Sequence, residues 1–462
     1  MTRVTLARQL ALLSIVALGC SVGGRVRAAD AANAVPAYHL EVGQELNYKD
    51  DTETKRGEGK KKSGYTIHTD WKASVVGKNT DGSYRVVVRS AQTYKFDGRS
   101  SGAPHASFGY FDVFPDGRII SNPTVGVLLD PSSLFPKLPE NAQQVAAGWD
   151  AARNHEDGRC TFKVESQPKP AQDEWKISEA RKTPLDEIYL VDRKATITFD
   201  ARRGLVTQIK RDTTQTWGSK STSEGTLTLV SVDKHDADWG KQLWADADRY
   251  FKADRAYDDK TTQASKNAKT CQKQLDEAKA ILASAEKDMT GPVFKTQLAE
   301  AIKAHDAMAK YTVEDAERRS KVIGKPAAEF DAADLKGKQH TLKDYKGKVV
   351  VLDFWYRGCS WCMRAMPQMK QLAAEFHGAP VEVIGMNIDL NEADAKFVVD
   401  KFGLDYATLR IDRKLPQKYG VRGYPTLVII DQQGNVHDLH VGYTPTLQQE
   451  IGEVVRQLLA KK

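Results

Sequence analysis

Two cysteines, Cys359 and Cys362, lie where an apolar run gives way to a helical pattern, in the stretch KGKVVVLDFWYRGCSWCMRAMP from Lys346 to Pro367. A thiolate in the first turn of a helix faces unpaired backbone N–H groups and the positive end of the helix dipole, so its pKa falls and it becomes a nucleophile. A second thiol one turn further on is near enough to close a disulfide with it. The pair thus supplies an attacking and a resolving sulfur. Competing uses fit the spacing less well. Zinc needs a second pair of ligands, but no other Cys-x-x-Cys occurs, and His340 and His377 are not at ligand spacing. Haem attachment needs histidine directly after the second cysteine, where Met363 stands. A purely structural bridge across two residues constrains little unfolded chain.

The elements that must position the pair are legible on either side. Val349 to Phe354 is apolar except for Asp353, as in a central parallel strand buried on both faces. Arg357 and Gly358 break the run. Trp361, Met366, Met369, Leu372 and Ala373 then recur at helical spacing up to Phe376 and the stop residue Gly378. A carboxylate inside such a strand is expected to be desolvated, with a raised pKa suited to exchanging a proton with Cys362.

Further motifs follow in order: GKPAAEF, VEVIGMNID and QKYGVRGYPTLVIID. With the cysteine stretch they make Val322 to Lys462 resemble the extracytoplasmic TlpA/ResA-like thiol–disulfide oxidoreductases of thioredoxin fold. The resemblance implies that Cys359 attacks and Cys362 resolves. It implies that Asp353 handles the proton of the resolving thiol, that Trp355 is the aromatic beside the site and touches substrate, and that Pro425 is a cis-proline opposite the disulfide and part of the substrate-binding surface. Tyr424 would then offer its backbone to an extended substrate, and Pro367 would bend the active-site helix. The chain departs from the family in Ser360-Trp361 between the cysteines, Gly358 before them, Ala365 where many relatives are acidic, and Gly385 where thioredoxin has lysine.

The chain has 462 residues, enough for about three domains, with 40% hydrophobic and 28% charged residues and a net charge of +7. Its densest basic run, Lys60 to Lys62, lies among glycines and reads as a solvated loop, so nucleic-acid binding is not expected. Residues 1 to 29 have the pattern of an export signal: Arg3 and Arg8, then Leu10 to Leu18, then small residues with a cleavage point after Ala28. Ala17-Leu18-Gly19-Cys20 resembles a lipobox that would lipidate Cys20 and anchor the chain to a membrane, but the leucine beside Gly19 departs from it. Plain cleavage into the periplasm or cell envelope is therefore expected, where disulfides persist. Cys160 and Cys271 would then remain beside the redox pair, free or bonded to each other.

Pro36 to Asp238 reads as a β-rich domain, an antiparallel sandwich or open barrel, from short alternating strands around the turns Asp81-Gly82 and Asp116-Gly117. Leu134 to Pro139 is expected as a rigid connection, and Tyr110, Phe111, Phe114 and Trp149 as core. Trp239 to Lys321 turns helical, and the break at Gly291-Pro292 predicts an antiparallel helical hairpin acting as a spacer. The fold expected is thus multidomain: a β domain, a helical hairpin and an α/β thioredoxin-like domain. The function expected is an exported enzyme exchanging disulfides with protein substrates, as a reductant by family resemblance, with an unidentified recycling partner and no cofactor or metal. The alternative is an envelope scaffold whose β domain recruits a partner and whose redox pair is regulatory. A peroxiredoxin-type peroxidase is disfavoured, because Tyr356 occupies the place of its threonine three residues before Cys359.

Overall fold

Three consecutive valines, Val86 to Val88, cannot all face one core from a strand whose side chains alternate. The computed structural model describes residues 35–460 apart from 57–62, 97–98, 101, 103, 122–130, 153–158, 170–171, 182–189 and 218. In it the strand Tyr84–Phe96 serves two cores. Val86 and Val88 join Leu46, Phe111, Phe135 and Trp175 on one side, whereas Val87 meets Leu282, Phe294 and Leu298 of the helices on the other. The expected export signal, Cys20 and Lys60 to Lys62 lie outside the described residues.

Among the described residues the N-terminal strands form one antiparallel sheet of twelve strands, rather than two packed sheets. Its first and last strands, Gln44–Arg56 and Ser219–Lys234, pair at the middle, with Leu46 opposite Val232. A meander runs out on each side to the edge strands Ile119–Ser121 and Trp149–Ala152. Both edges curl onto a shared interior: Ile119 and Ala151 pack on the same core and line the same cavity of about 170 Å³. Leu134 to Pro139 is more than a connection, since Leu134, Phe135 and Leu138 are fully buried there. Gly117 permits this approach: its φ is 78°, and a Cβ would lie 2.4 Å from the carbonyl oxygen of Pro136. Phe111 and Trp149 are core as expected, but Tyr110 lies on the outer face against Trp244 and Phe251.

The segment expected as a hairpin contains three helices, Ala237–Lys266, Cys271–Lys287 and Pro292–Ser320. The last two meet at Gly291-Pro292 as anticipated. The break that separates the first two, around Asn267, contains neither glycine nor proline, so neither breaker marks it in the sequence. Asp246 of the first helix is buried and accepts hydrogen bonds from Thr290 Oγ1 and from the backbone N–H of Gly291 at 2.9 and 2.7 Å, fixing the tight turn. Phe294 packs, with tilted rings, against Phe108 of the sheet and Tyr250, so the helices cover the outer face of the sheet. Cys160 sits in the sheet's core and Cys271 among the helices; both are buried, and they are not bonded to each other.

The C-terminal sheet has five strands in the order Thr408–Arg410, Val381–Asn387, Val349–Trp355, Thr426–Ile430 and Val436–Val441. The first three are parallel and the last two antiparallel to their neighbours. Every residue of Val349–Trp355 is buried. Val350, Leu352 and Phe354 face one core, and Val349 and Val351 face another with Ala365, Met369 and Leu372 of the helix Ser360–Glu375. By alternation, Asp353 and Trp355 lie on that helix-covered face. The third long helix is tied to this domain at its end, where the buried Arg319 donates to the carbonyl of Leu439 at 2.5 Å.

Candidate active site

The active-site helix starts where the central strand ends, and the turn between them is clamped. The backbone N–H of Arg357 donates to the carboxylate of Asp389 at 2.9 Å, and its guanidinium pairs with Asp394 at 2.6 Å. Asp389 is held in turn by Asn387 Nδ2 at 2.8 Å. These contacts fasten the loop Tyr356 to Gly358 to the end of the neighbouring parallel strand, which fixes where the helix begins. Cys359 is its N-cap residue: Sγ accepts from the N–H of Cys362 at 3.1 Å. Cys359 and Cys362 are joined by a disulfide, with Sγ atoms 2.07 Å apart and Cα atoms 5.2 Å apart. Cys362 has no exposed surface and Cys359 keeps 6%, so only the first sulfur's residue reaches solvent.

Asp353 is fully buried, and neither carboxylate oxygen has a hydrogen-bond partner among the described residues. Burial pushes its pKa up to about 7. Other polar atoms near it are also unpartnered. Asp353 aligns across the strands with Gly385, and Gly385 with Thr408. A Cβ on Gly385 would lie 2.8 Å from Thr408 Oγ1 and 3.0 Å from Trp355 Nε1, both buried and without partners among the described residues. Gly385 thus lets two donors approach where a larger side chain would separate them. Burial, followed by the charges of Asp353 and Asp405, raises the pKa of the Tyr406 phenol. Neither Tyr406 nor Thr408 was singled out in the sequence; strand register brings Thr408 here, and Tyr406 comes with the segment just before that strand.

Two expectations need correction. Trp355, anticipated as an aromatic that touches substrate, has no exposed surface and packs beneath the disulfide with Met363 and Met366. Trp361, placed in the helix's apolar stripe by its spacing, is 44% exposed, stacked on Tyr443 and covered by Arg364. A side chain in a helix's first turn has no preceding turn to pack against, so periodicity misassigns it. On the other side of the disulfide the Tyr424–Pro425 peptide is cis. Tyr424 belongs to the cluster that holds Cys359 and Cys362, and its ring meets that of Tyr356 edge to face at 5.4 Å. Its backbone N–H and C=O have no hydrogen-bond partner among the described residues.

A disulfide at a helix start with a buried carboxyl below it does the chemistry of dithiol–disulfide exchange, and the class so defined is the thioredoxin-like thiol–disulfide oxidoreductases. Residues 323–439 match the AhpC/TSA family. The thiol-disulfide oxidoreductase ResA of Geobacillus thermodenitrificans (strain NG80-2) is 34% identical over 128 residues, 27% of this chain and 73% of the relative. ResA of Halalkalibacterium halodurans is 33% identical over 144 residues, covering 30% and 81%. The exposed lipoprotein thioredoxin of Streptococcus pneumoniae strain TIGR4 is 33% identical, with a TM-score of 0.25 over 28% of this chain and 100% of that one. Through its C-terminal third the chain belongs to the ResA-like thiol–disulfide oxidoreductase family.

Proposed function

We propose that this is an exported enzyme that reduces disulfides in protein substrates. The Cys359 thiolate attacks one substrate sulfur, forming a mixed disulfide and expelling the other substrate sulfur as thiolate. The Cys362 thiolate then attacks Cys359 Sγ, closing the Cys359–Cys362 disulfide and releasing the second substrate sulfur. Two electrons pass to the substrate. Asp353, with a pKa of about 7, accepts the proton of Cys362 in the second step and returns it when the pair is reduced again. Tyr424 offers its free backbone groups to an extended substrate segment, which adds to them as a short strand. Export rests on the basic and apolar pattern of residues 1 to 29 and on the resemblance to extracytoplasmic relatives. The reducing direction rests on that resemblance.

The observation that carries the reading is the buried, unpartnered carboxyl of Asp353 on the face of the strand that the disulfide-bearing helix covers. A scaffold with an incidental bridge has no use for it, since an unpaired buried carboxyl costs stability. Turnover of a protein disulfide such as that of insulin, with dithiothreitol as electron donor, tests the proposal. The full-length protein accelerates reduction and Cys359→Ser does not; equal rates for the two proteins sink the reading.

A further inference from the structure

A groove of about 1010 Å³ runs past Tyr356 and Tyr424, which pack against the cysteines, to Arg413 and Arg422 on either side of the short helix Leu415–Lys418 and to Arg318 on the third long helix. Its charges are unevenly satisfied. The acidic wall is engaged: Asp389 accepts from Arg357 N and Asn387, and Asp394 pairs with the guanidinium of Arg357. On the basic side Arg318 pairs with Asp315. Arg413 and Arg422 are exposed and make no hydrogen bond or salt bridge among the described residues. Arg422 lies close enough to Arg318 for its like charge to help hold the Arg318 pKa below its usual value, after burial itself. Arg413 acts in the same way on the Tyr424 phenol, opposing the rise that burial causes. Two uncompensated guanidiniums therefore flank the residue whose backbone groups stand open next to the cysteines.

From this, and resting on the redox reading above, we infer that the groove selects protein segments carrying a carboxylate within about three residues of the disulfide cysteine, held by Arg413 and Arg422. A segment paired with Tyr424 advances about 3.3 Å per residue, so it carries side chains a few positions from its cysteine into the groove that the two arginines line. The groove's volume suits an extended chain rather than a lone anion, and guanidiniums are the groups best matched to carboxylates. Arg318 makes the helical segment one wall of this groove, a larger role than that of a spacer.

The test uses full-length Cys362→Ser protein, which stops at the mixed disulfide. It is offered, in competition, two peptides that differ only in Asp and Glu versus Asn and Gln beside a cysteine capped with 2-mercaptoethanol. Intact-mass measurement of the early adducts reads the partition. The acidic peptide is expected to dominate by about tenfold at low ionic strength, the scale of modest electrostatic steering, and the preference is expected to shrink in high salt. In the background of R413Q/R422Q the partition falls towards one, and R413K/R422K restores part of it. Equal adducts with both peptides, or a preference untouched by R413Q/R422Q or by salt, overturn the groove assignment and leave the redox reading standing. No adduct with either peptide overturns the redox reading, and the groove assignment falls with it.

Discussion

The N-terminal sheet and the redox domain each bury an aspartate inside a strand and treat it in opposite ways. Asp50, in Gln44–Arg56, lies against Arg211, whose Nη2 reaches both carboxylate oxygens at 2.6 and 2.7 Å. Asp353, in the central strand of the redox domain, has no partner among the described residues and a pKa near 7. A satisfied buried charge holds two strands in register, whereas an unsatisfied one keeps a proton available at neutral pH. The contrast separates a carboxylate that serves shape from one poised for chemistry.

The largest test of that division is at the sulfurs. Cys359→Ser should abolish mixed-disulfide formation, while Cys362→Ser should accumulate it, both read on non-reducing gels after acid quenching; similar trapping by the two variants would undo the assignment of roles. Next come the aspartates, where the same substitution should act with opposite sign. In the wild-type protein the folded carboxyl of Asp353 titrates near 7 and the unfolded one near 3.8. Between these values the unfolded chain has already released a proton that the folded chain keeps. Stability from this site is therefore complete below about pH 4 and lost as pH rises through 7, by on the order of 4 kcal/mol. Asp353→Asn should remove that pH dependence, measured by urea unfolding of the oxidised protein at pH 4 and pH 8. It should also slow resolution by Cys362 while sparing formation of the mixed disulfide, as followed by rapid quench. A persistent pH slope in the variant would place its origin elsewhere.

Asp50→Asn should instead destabilise by about 3 kcal/mol, because it leaves the guanidinium of Arg211 buried without its counter-charge. Exchange kinetics at the cysteines should stay at the wild-type value in this variant; a changed rate would mean that the sheet region takes part in the chemistry. The smallest expected signal is with hydrogen peroxide. Tyr356 stands where a peroxidatic threonine would, so peroxide consumption should not rise above that of an ordinary thiol of similar exposure, as checked by a peroxide electrode.

What the sequence revealed follows the range of the interactions involved. The cysteine pair, its strand and its helix are contiguous, and Asp353 stands out as the lone polar residue of an apolar run, so all were legible. Trp361 was misplaced because a helical period says nothing about whether a turn precedes it. Tyr406 and Thr408 carry no local signal; Thr408 reaches the site through strand register and Tyr406 through the segment leading into that strand. The pairing of Asp50 with Arg211 spans 161 residues and is invisible without the sheet. A strand beside the turn Asp81-Gly82 was legible, but the meaning of its valines at 86 to 88, two cores on opposite faces, needed the helices in place.

The third long helix has a consequence for reach. Its 29 residues make a rod of about 44 Å at 1.5 Å per residue. One end is seated on the sheet through Phe294 and Phe108, and the other is bolted to the redox domain through Arg319. It works as a strut: the sheet and the disulfide-bearing domain are held a set span apart by a rod fastened at both ends, not joined by a free tether.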